Sequence, residues 1–364
     1  MKTSYKFLLI ILLLGLFTAA CDESDSPIDE DSDEQVEDNN NSDDAGSMYF
    51  PEAGSDDWKQ VSAVDLAWDT TYLNEAIRYA KENRSYNLLI LHKGRMVVEE
   101  YWSGTDAKSR HDLGSVAKSM TAFIIGILQE DGTLRIDDKV NNYLAEGWSR
   151  SPETEGEITI RHLLTMTSGL NDDLDYVGRP GETWRYSHGA YVKLYEVIEA
   201  ATGKSYREVF DSILFTPTGM TGMSWSGTDL LSPGRAIARF GLMMLNDGTW
   251  DGKKLLQDEG YFSDMLSTSQ TIQKSYGYLW WLNGKESWYD DDKRVTIDGP
   301  IASSMPDDAW LAKGKHDQRI YVVPSLDLVV IRQGGYIPLP ESGEGSFDVE
   351  FWKRLMRAIN GPEA

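Results

Sequence analysis

Cysteine occurs once in the 364 residues, at Cys21. No disulfide can form within the chain, so the fold has to be held by its core alone. Histidine is also scarce. The five, at 92, 111, 162, 188 and 316, show no ligand spacing with the cysteine or with carboxylates, which argues against a metal site. Positive charge is short: 35 Lys and Arg face 59 Asp and Glu, for a formal charge of −24. That balance excludes a nucleic-acid partner, because nothing would neutralise phosphates. No Gly-x-Ser-x-Gly is present to form the nucleophile elbow of an α/β-hydrolase, and no glycine loop is present to cradle phosphate.

The first long apolar run, from Phe7 to Ala20, is flanked by Lys2 and Lys6 and is too short to span a bilayer comfortably. It reads as a signal peptide over residues 1–20. Thr18-Ala19-Ala20-Cys21 resembles a bacterial lipobox, with Thr18 where Leu or Val is usual. The resemblance implies that Cys21 becomes a lipidated N-terminus and that a lipid anchor is the membrane partner. The protein is then expected to be exported to the bacterial cell envelope as an outer-membrane lipoprotein, periplasmic or surface-exposed. Residues 22–57 hold fifteen Asp or Glu and no Lys or Arg. So charged a segment, poor in apolar residues, predicts a disordered, self-repelling tether over 21–57. Acidic residues directly after the cysteine also resemble the surface-export signal of lipoproteins from the Bacteroidetes group.

From Trp58 to the end, the pattern is that of one globular domain. Asp69 can cap a helix with Leu73, Ala76, Ile77 and Ala80 on one face. Asn87–His92 and Arg95–Trp102, split by Lys93-Gly94, read as a hairpin. Val116–Glu130 is a long apolar helix stopped by Asp131-Gly132. The region from 115 to 270 is mainly helical, with segments at Ile160–Met166, Ala190–Ala201 and Pro233–Asn246. Strands are expected at Gly277–Leu282, Ala309–Ala312, Arg319–Val323 and Asp327–Arg332, and a last helix at Phe347–Ile359. Asp290–Asp292 reads as a solvated loop. This order predicts an α/β (α+β) fold in which early and late strands join one antiparallel sheet, covered by the terminal helices, with a helical lobe beside it.

Ser115-Val116-Ala117-Lys118 is the segment richest in chemistry. At i, i+3 on one helix, the serine and lysine share a face, and the helix N-terminus favours developing negative charge there. A lysine buried in so apolar a helix would lose proton affinity and could act as the base for Ser115. A capping serine beside a solvent-facing lysine fits these residues equally well.

Later segments separate the two readings. Ile158-Thr159-Ile160-Arg161-His162-Leu163-Leu164-Thr165-Met166-Thr167-Ser168-Gly169-Leu170 and Pro180-Gly181-Glu182-Thr183-Trp184-Arg185-Tyr186-Ser187-His188 follow in order. With the serine–lysine helix they resemble the serine β-lactamase-like superfamily of class C β-lactamases, D-alanyl-D-alanine peptidases, esterases and 6-aminohexanoate-dimer hydrolases. The resemblance covers about residues 70–335 and implies the β-lactamase/transpeptidase-like fold. It implies Ser115 as nucleophile, Lys118 as base and Tyr186 as the proton-sharing tyrosine. His188 stands where Asn is commonest, with a minor substrate-positioning role. The third motif, Lys-Thr-Gly, is matched by Ala312-Lys313-Gly314. Gly314 then admits substrate to the strand, and the Lys315 N–H joins that of Ser115 in an oxyanion hole. Tyr176 and Trp310 are expected to line the pocket.

Losing the motif's first lysine favours an esterase or aminohexanoate-oligomer hydrolase over a β-lactamase or D-Ala-D-Ala peptidase. The implied reaction is hydrolysis of a small ester or amide through a Ser acyl-enzyme, with no cofactor and no metal. A reading of another class is a non-catalytic surface-binding lipoprotein, which has no need of the intact trio.

Overall fold

The computed structural model describes residues 46–55, 57–290, 295–335 and 346–361. Residues 1–45, where the signal peptide, the lipidated Cys21 and most of the tether are expected, lie outside the described residues. No helix among the described residues is long and apolar enough to cross a membrane.

Asp69 caps α1 (Thr70–Glu82) by accepting the Thr71 and Tyr72 N–H groups, and Leu73, Ala76 and Ala80 are buried beneath it. The hairpin follows as β1 (Ser85–His92) and β2 (Arg95–Tyr101), with Lys93 and Gly94 both at positive φ in the turn. These strands join β8 (Trp281–Leu282), β11 (Trp310–Gly314), β12 (Gln318–Val323) and β13 (Leu328–Gly334) in one antiparallel sheet, ordered β2-β1-β13-β12-β11-β8. Strands β12 and β13 are buried at every residue, as strands covered on both faces must be.

On one face lies the last helix, α10 (Phe347–Asn360), packed against α1. Its buried Asp348 accepts from Arg319 at 3.1 Å and from the Tyr321 hydroxyl at 2.5 Å. On the other face α8 (Gly234–Leu245) contacts β1, β12 and β13, while α2 (Val116–Glu130) contacts β11 and β12.

The lobe carries α3 (Pro152–Glu155), α4 (Ile160–Leu164), α5 (His188–Thr202), α6 (Tyr206–Phe210), α7 (Thr216–Thr218) and α9 (Glu259–Met265). It also holds a small sheet the periodicity does not reveal: β3 (His111–Asp112), β4 (Ser224–Ser226) and β5 (Asp229–Ser232), ordered β3-β5-β4. Two hairpins complete the set, β6 (Thr249–Trp250) with β7 (Lys253–Lys254), and β9 (Ser287–Asp290) with β10 (Val295–Asp298).

Three expectations need correction. Only Trp281–Leu282 of Gly277–Leu282 is strand, because the preceding backbone bonds to the lobe: Tyr278 N–H to Met265 O and Leu279 N–H to Leu164 O. Leu279 turns there with φ +59°. Asp290 is not solvated; it ends β9 and is 3% exposed, whereas 291 and 292 lie outside the described residues. The tether does not reach 57. Tyr49 N–H donates to Lys93 O, Phe50 packs edge-on against Trp250, and the buried Arg239 donates to the carbonyls of Pro51, Glu52 and Ser55. Carbonyl acceptors let an otherwise acidic segment satisfy a buried guanidinium.

Candidate active site

Helix α2 buries twelve of its fifteen residues, so it has no solvent face. Lys118, one turn in, is consequently 2% exposed. Ser115 occupies the N-cap position with φ −74° and ψ −2°, and its hydroxyl makes no capping bond. It stands instead 3.0 Å from Lys118 Nζ, which donates to it. The solvent-facing lysine of the alternative reading is therefore not what the fold contains.

The peptide before Ser115 is shaped by Gly114, at φ +51° with its N–H donated to Asp112 Oδ1 at 2.8 Å. A Cβ on Gly114 would come within 2.8 Å of the Lys315 backbone N. A Cβ on Gly314 would strike the Leu113 carbonyl. Both glycines are thus required by contact: the end of β11 lies directly against the turn entering α2, bringing the Lys315 amide beside the Ser115 peptide. His316 and Asp317 follow with φ +62° and +58°. That turn is pinned by the buried Arg332, which donates to Asp317 O at 2.6 Å, and by the Arg319–Asp317 ion pair.

Tyr186 is brought in by the long segment after α4. His162 and Thr159 form a reciprocal cap on α4. Met166 then turns at φ +59°, and its carbonyl accepts the Arg185 N–H, while Thr167 O accepts that of Gly181. Ser187 caps α5 by accepting from Ala190 N–H and donates to Asn171 O. Between these ties the Tyr186 ring lies 5.4 Å from Lys118 Nζ.

Two more groups face the amine, a third holds one of them in place, and no sequence motif marked Tyr191 or Asp172 among them. His188 Nδ1 is 3.2 Å from Lys118 Nζ. The buried Tyr191 ring lies 4.2 Å from the same nitrogen; its spacing of three from His188 was the one signal available. Asp172 holds the start of α5, its Oδ1 accepting the His188 N–H at 2.6 Å. Burial, and then the charge of Lys118, hold the His188 imidazole below its ordinary value, against the opposing pull of Asp172 and Asp229. Burial raises the Tyr191 phenol well above 10.

Trp281 stacks on Tyr186 at 6.1 Å, and Trp184 and Tyr276 pack around the pair. A cavity of about 210 Å³ opens beside Tyr186, walled by Asp172, Thr183, Trp184, Arg185 and Tyr289 among others. Tyr176 is 42% exposed on the neighbouring loop and does not line that cavity. Trp310 is not brought to the site. Its ring neighbour is Phe262 of α9, and it lies five positions before Lys315, roughly 16 Å along a strand. Ala312 is fully buried, and Lys313 sits over the Trp281 and Trp288 rings. A wider groove of about 720 Å³, near Arg207, Phe215 and Trp225, includes none of the Ser115 group.

Comparison with known proteins bears on the fold and the family. Residues 73–239 match the Beta-lactamase family model. Over 139 residues the chain is 33% identical to penicillin-binding protein 4* of Bacillus subtilis, covering 31% of this chain and 30% of that protein. Over 332 residues it is 21% identical to the 6-aminohexanoate-dimer hydrolase of Paenarthrobacter ureafaciens, covering 74% of this chain and 76% of the hydrolase. The chain thus spans under a third of the first relative and about three quarters of the second. The crystal structure of a D-stereospecific amidohydrolase from Streptomyces sp. shares the fold, with a TM-score of 0.57 at 15% identity over 81% of this chain and 99% of that one. By matched segment and by fold, the chain resembles β-lactamase-related proteins, hydrolases and penicillin-binding proteins among them.

Proposed function

We propose that the chain is a serine hydrolase that cleaves an ester or amide bond through an acyl-enzyme on Ser115. The observation that carries this reading is the 3.0 Å approach of a buried lysine amine to a half-buried, uncapped serine hydroxyl at a helix N-terminus. Burial disfavours a lasting ammonium, so the amine is suited to take the Oγ proton as Oγ attacks the carbonyl carbon. The Ser115 and Lys315 N–H groups form the oxyanion hole for the tetrahedral intermediate. Tyr186 donates its hydroxyl proton to the departing alkoxide or amine and is reprotonated by the Lys118 ammonium. Water then attacks the acyl carbon, giving up its proton through the same pair, and the acid is released with Ser115 regenerated.

Ala312, buried where penicillin-binding relatives carry a carboxylate-recognising lysine, favours neutral esters and amides over β-lactams or cell-wall peptides. We further propose that Cys21 is lipidated and that the acidic segment, ending near residue 45, tethers the domain in the cell envelope. The test of the activity is turnover of p-nitrophenyl esters and anilides by the chain and by Ser115→Ala. Loss of all turnover in the variant, with melting temperature retained, is expected; undiminished turnover would contradict the mechanism. The test of the anchor is metabolic incorporation of labelled palmitate, expected in the wild type and absent from Cys21→Ser.

A further inference from the structure

A neutral lysine amine has two N–H bonds and one lone pair. For Lys118 to take a proton from Ser115, the lone pair has to face Oγ, so an N–H has to be accepted elsewhere. His188 Nδ1, at 3.2 Å, lies within reach of that N–H. We propose that neutral His188 is a positioning residue whose Nδ1 lone pair holds the Lys118 amine in register with Ser115, and that protonating it shuts the site off at acidic pH. The inference rests on the serine-hydrolase reading above.

The chemistry of the imidazole gives the switch its direction. With the proton on Nε2, Nδ1 accepts from the amine. Once His188 is protonated, Nδ1–H becomes a donor 3.2 Å from Nζ, and the only acceptor the neutral amine offers is the lone pair that Ser115 needs. If Lys118 is protonated too, two like charges face each other in a site where burial magnifies their repulsion. Neither state can deprotonate Ser115.

The backbone prevents the ring from drifting away. His188 opens α5, its N–H is held by Asp172 Oδ1 at 2.6 Å, and a Cβ on Gly189 would strike the Asp172 carbonyl. The groups facing the imidazole are Lys118 from α2, Asp172 from the preceding loop, Asp229 from β5 and Tyr191 from its own helix. Burial, reinforced by Lys118 whenever its amine is charged, outweighs the two carboxylates and keeps His188 below its ordinary 6.5, so it is neutral at pH 8 and the loss falls below pH 6.5.

The test is the pH dependence of the second-order rate at which a fluorophosphonate probe labels Ser115 in the full chain, compared with His188→Asn and His188→Ala. An Asn amide oxygen can accept the amine N–H but does not titrate. In the wild type, the logarithm of the rate should fall with slope two at acidic pH, because Lys118 and His188 both have to be unprotonated. His188→Asn should fall with slope one and remain within about tenfold of wild type at pH 8. His188→Ala should lose about tenfold or more at pH 8 and regain part of it with added imidazole. Nitrogen-15 NMR should find the His188 proton on Nε2 at pH 8. A slope of two retained in His188→Asn, or a proton on Nδ1 at pH 8, would overturn the role of His188 alone. A wild type unlabelled at every pH would overturn the hydrolase reading and this inference together.

Discussion

Ser115 and Lys118 owe their different chemistry to a difference in exposure. The hydroxyl is half-buried and open to a ligand, while the amine is 2% exposed and hemmed by two aromatic rings and an imidazole. On the proposed mechanism, replacing the amine leaves Ser115 without a base. Lys118→Met should slow ester turnover by about 10²- to 10⁴-fold with little loss of melting temperature, as steady-state kinetics beside calorimetry will show. Gly114→Ala acts through the backbone. Its φ of +51° and the 2.8 Å approach to Lys315 N leave no room for a methyl, so strain of about 1–2 kcal/mol is expected. Turnover should suffer more than stability, because the strain parts the two N–H groups of the proposed oxyanion hole.

Much of this site is legible in the sequence, since Ser115, Lys118 and Tyr186 sit in motifs whose spacing carries their geometry. Asp172 and Trp281 are not, because contacts made across long stretches of chain leave no periodic trace. Trp310 shows the converse: an aromatic near a motif in sequence, turned by the strand toward Phe262.

Among the elements, α10 and the sheet are joined by charge as well as by apolar packing. Asp348 and Arg319 are each about 5% exposed, and Tyr321 completes the cluster. Truncating one member of such a pair strands the other without water. Asp348→Ala should therefore cost about 3–5 kcal/mol in urea unfolding, while a volume-matched apolar pair at both positions should cost far less. Long elements are readable from their periods: α2, α8 and α10 lie within two residues of expectation, and α1 begins directly after the expected cap at Asp69. Strands of two to four residues in the lobe are not, because so few residues establish no alternation. Gly277–Trp280 looked like a strand from its apolar residues, but tertiary bonds to α9 and to the end of α4 took its backbone.

Across the whole molecule, the acidity of the chain and its core have opposite consequences at low pH. Protonating exposed carboxylates relieves self-repulsion, whereas Asp348 resists. Burial alone would raise its carboxyl, but Arg319, Lys313 and the Tyr321 hydrogen bond overrule it and hold the group down to about 2. Its folded value lies below the unfolded one, near 3.9, so its contribution is complete above about pH 4 and is lost as pH falls toward 2. The amount is about 2 kcal/mol, and Asp348→Asn should lack this phase of an acid titration followed by circular dichroism.

At this scale the division between tether and domain also moves. Because Arg239 holds the carbonyls of Pro51, Glu52 and Ser55, hydrogen exchange over 46–55 should be slow in the wild type and fast in Arg239→Met.

The central claim, an activated Ser115, is tested most directly by intact-mass spectrometry of the chain after exposure to a fluorophosphonate probe, beside Ser115→Ala. The account predicts one adduct on the wild type and none on the variant. A wild type without an adduct, or a variant labelled equally, would contradict it.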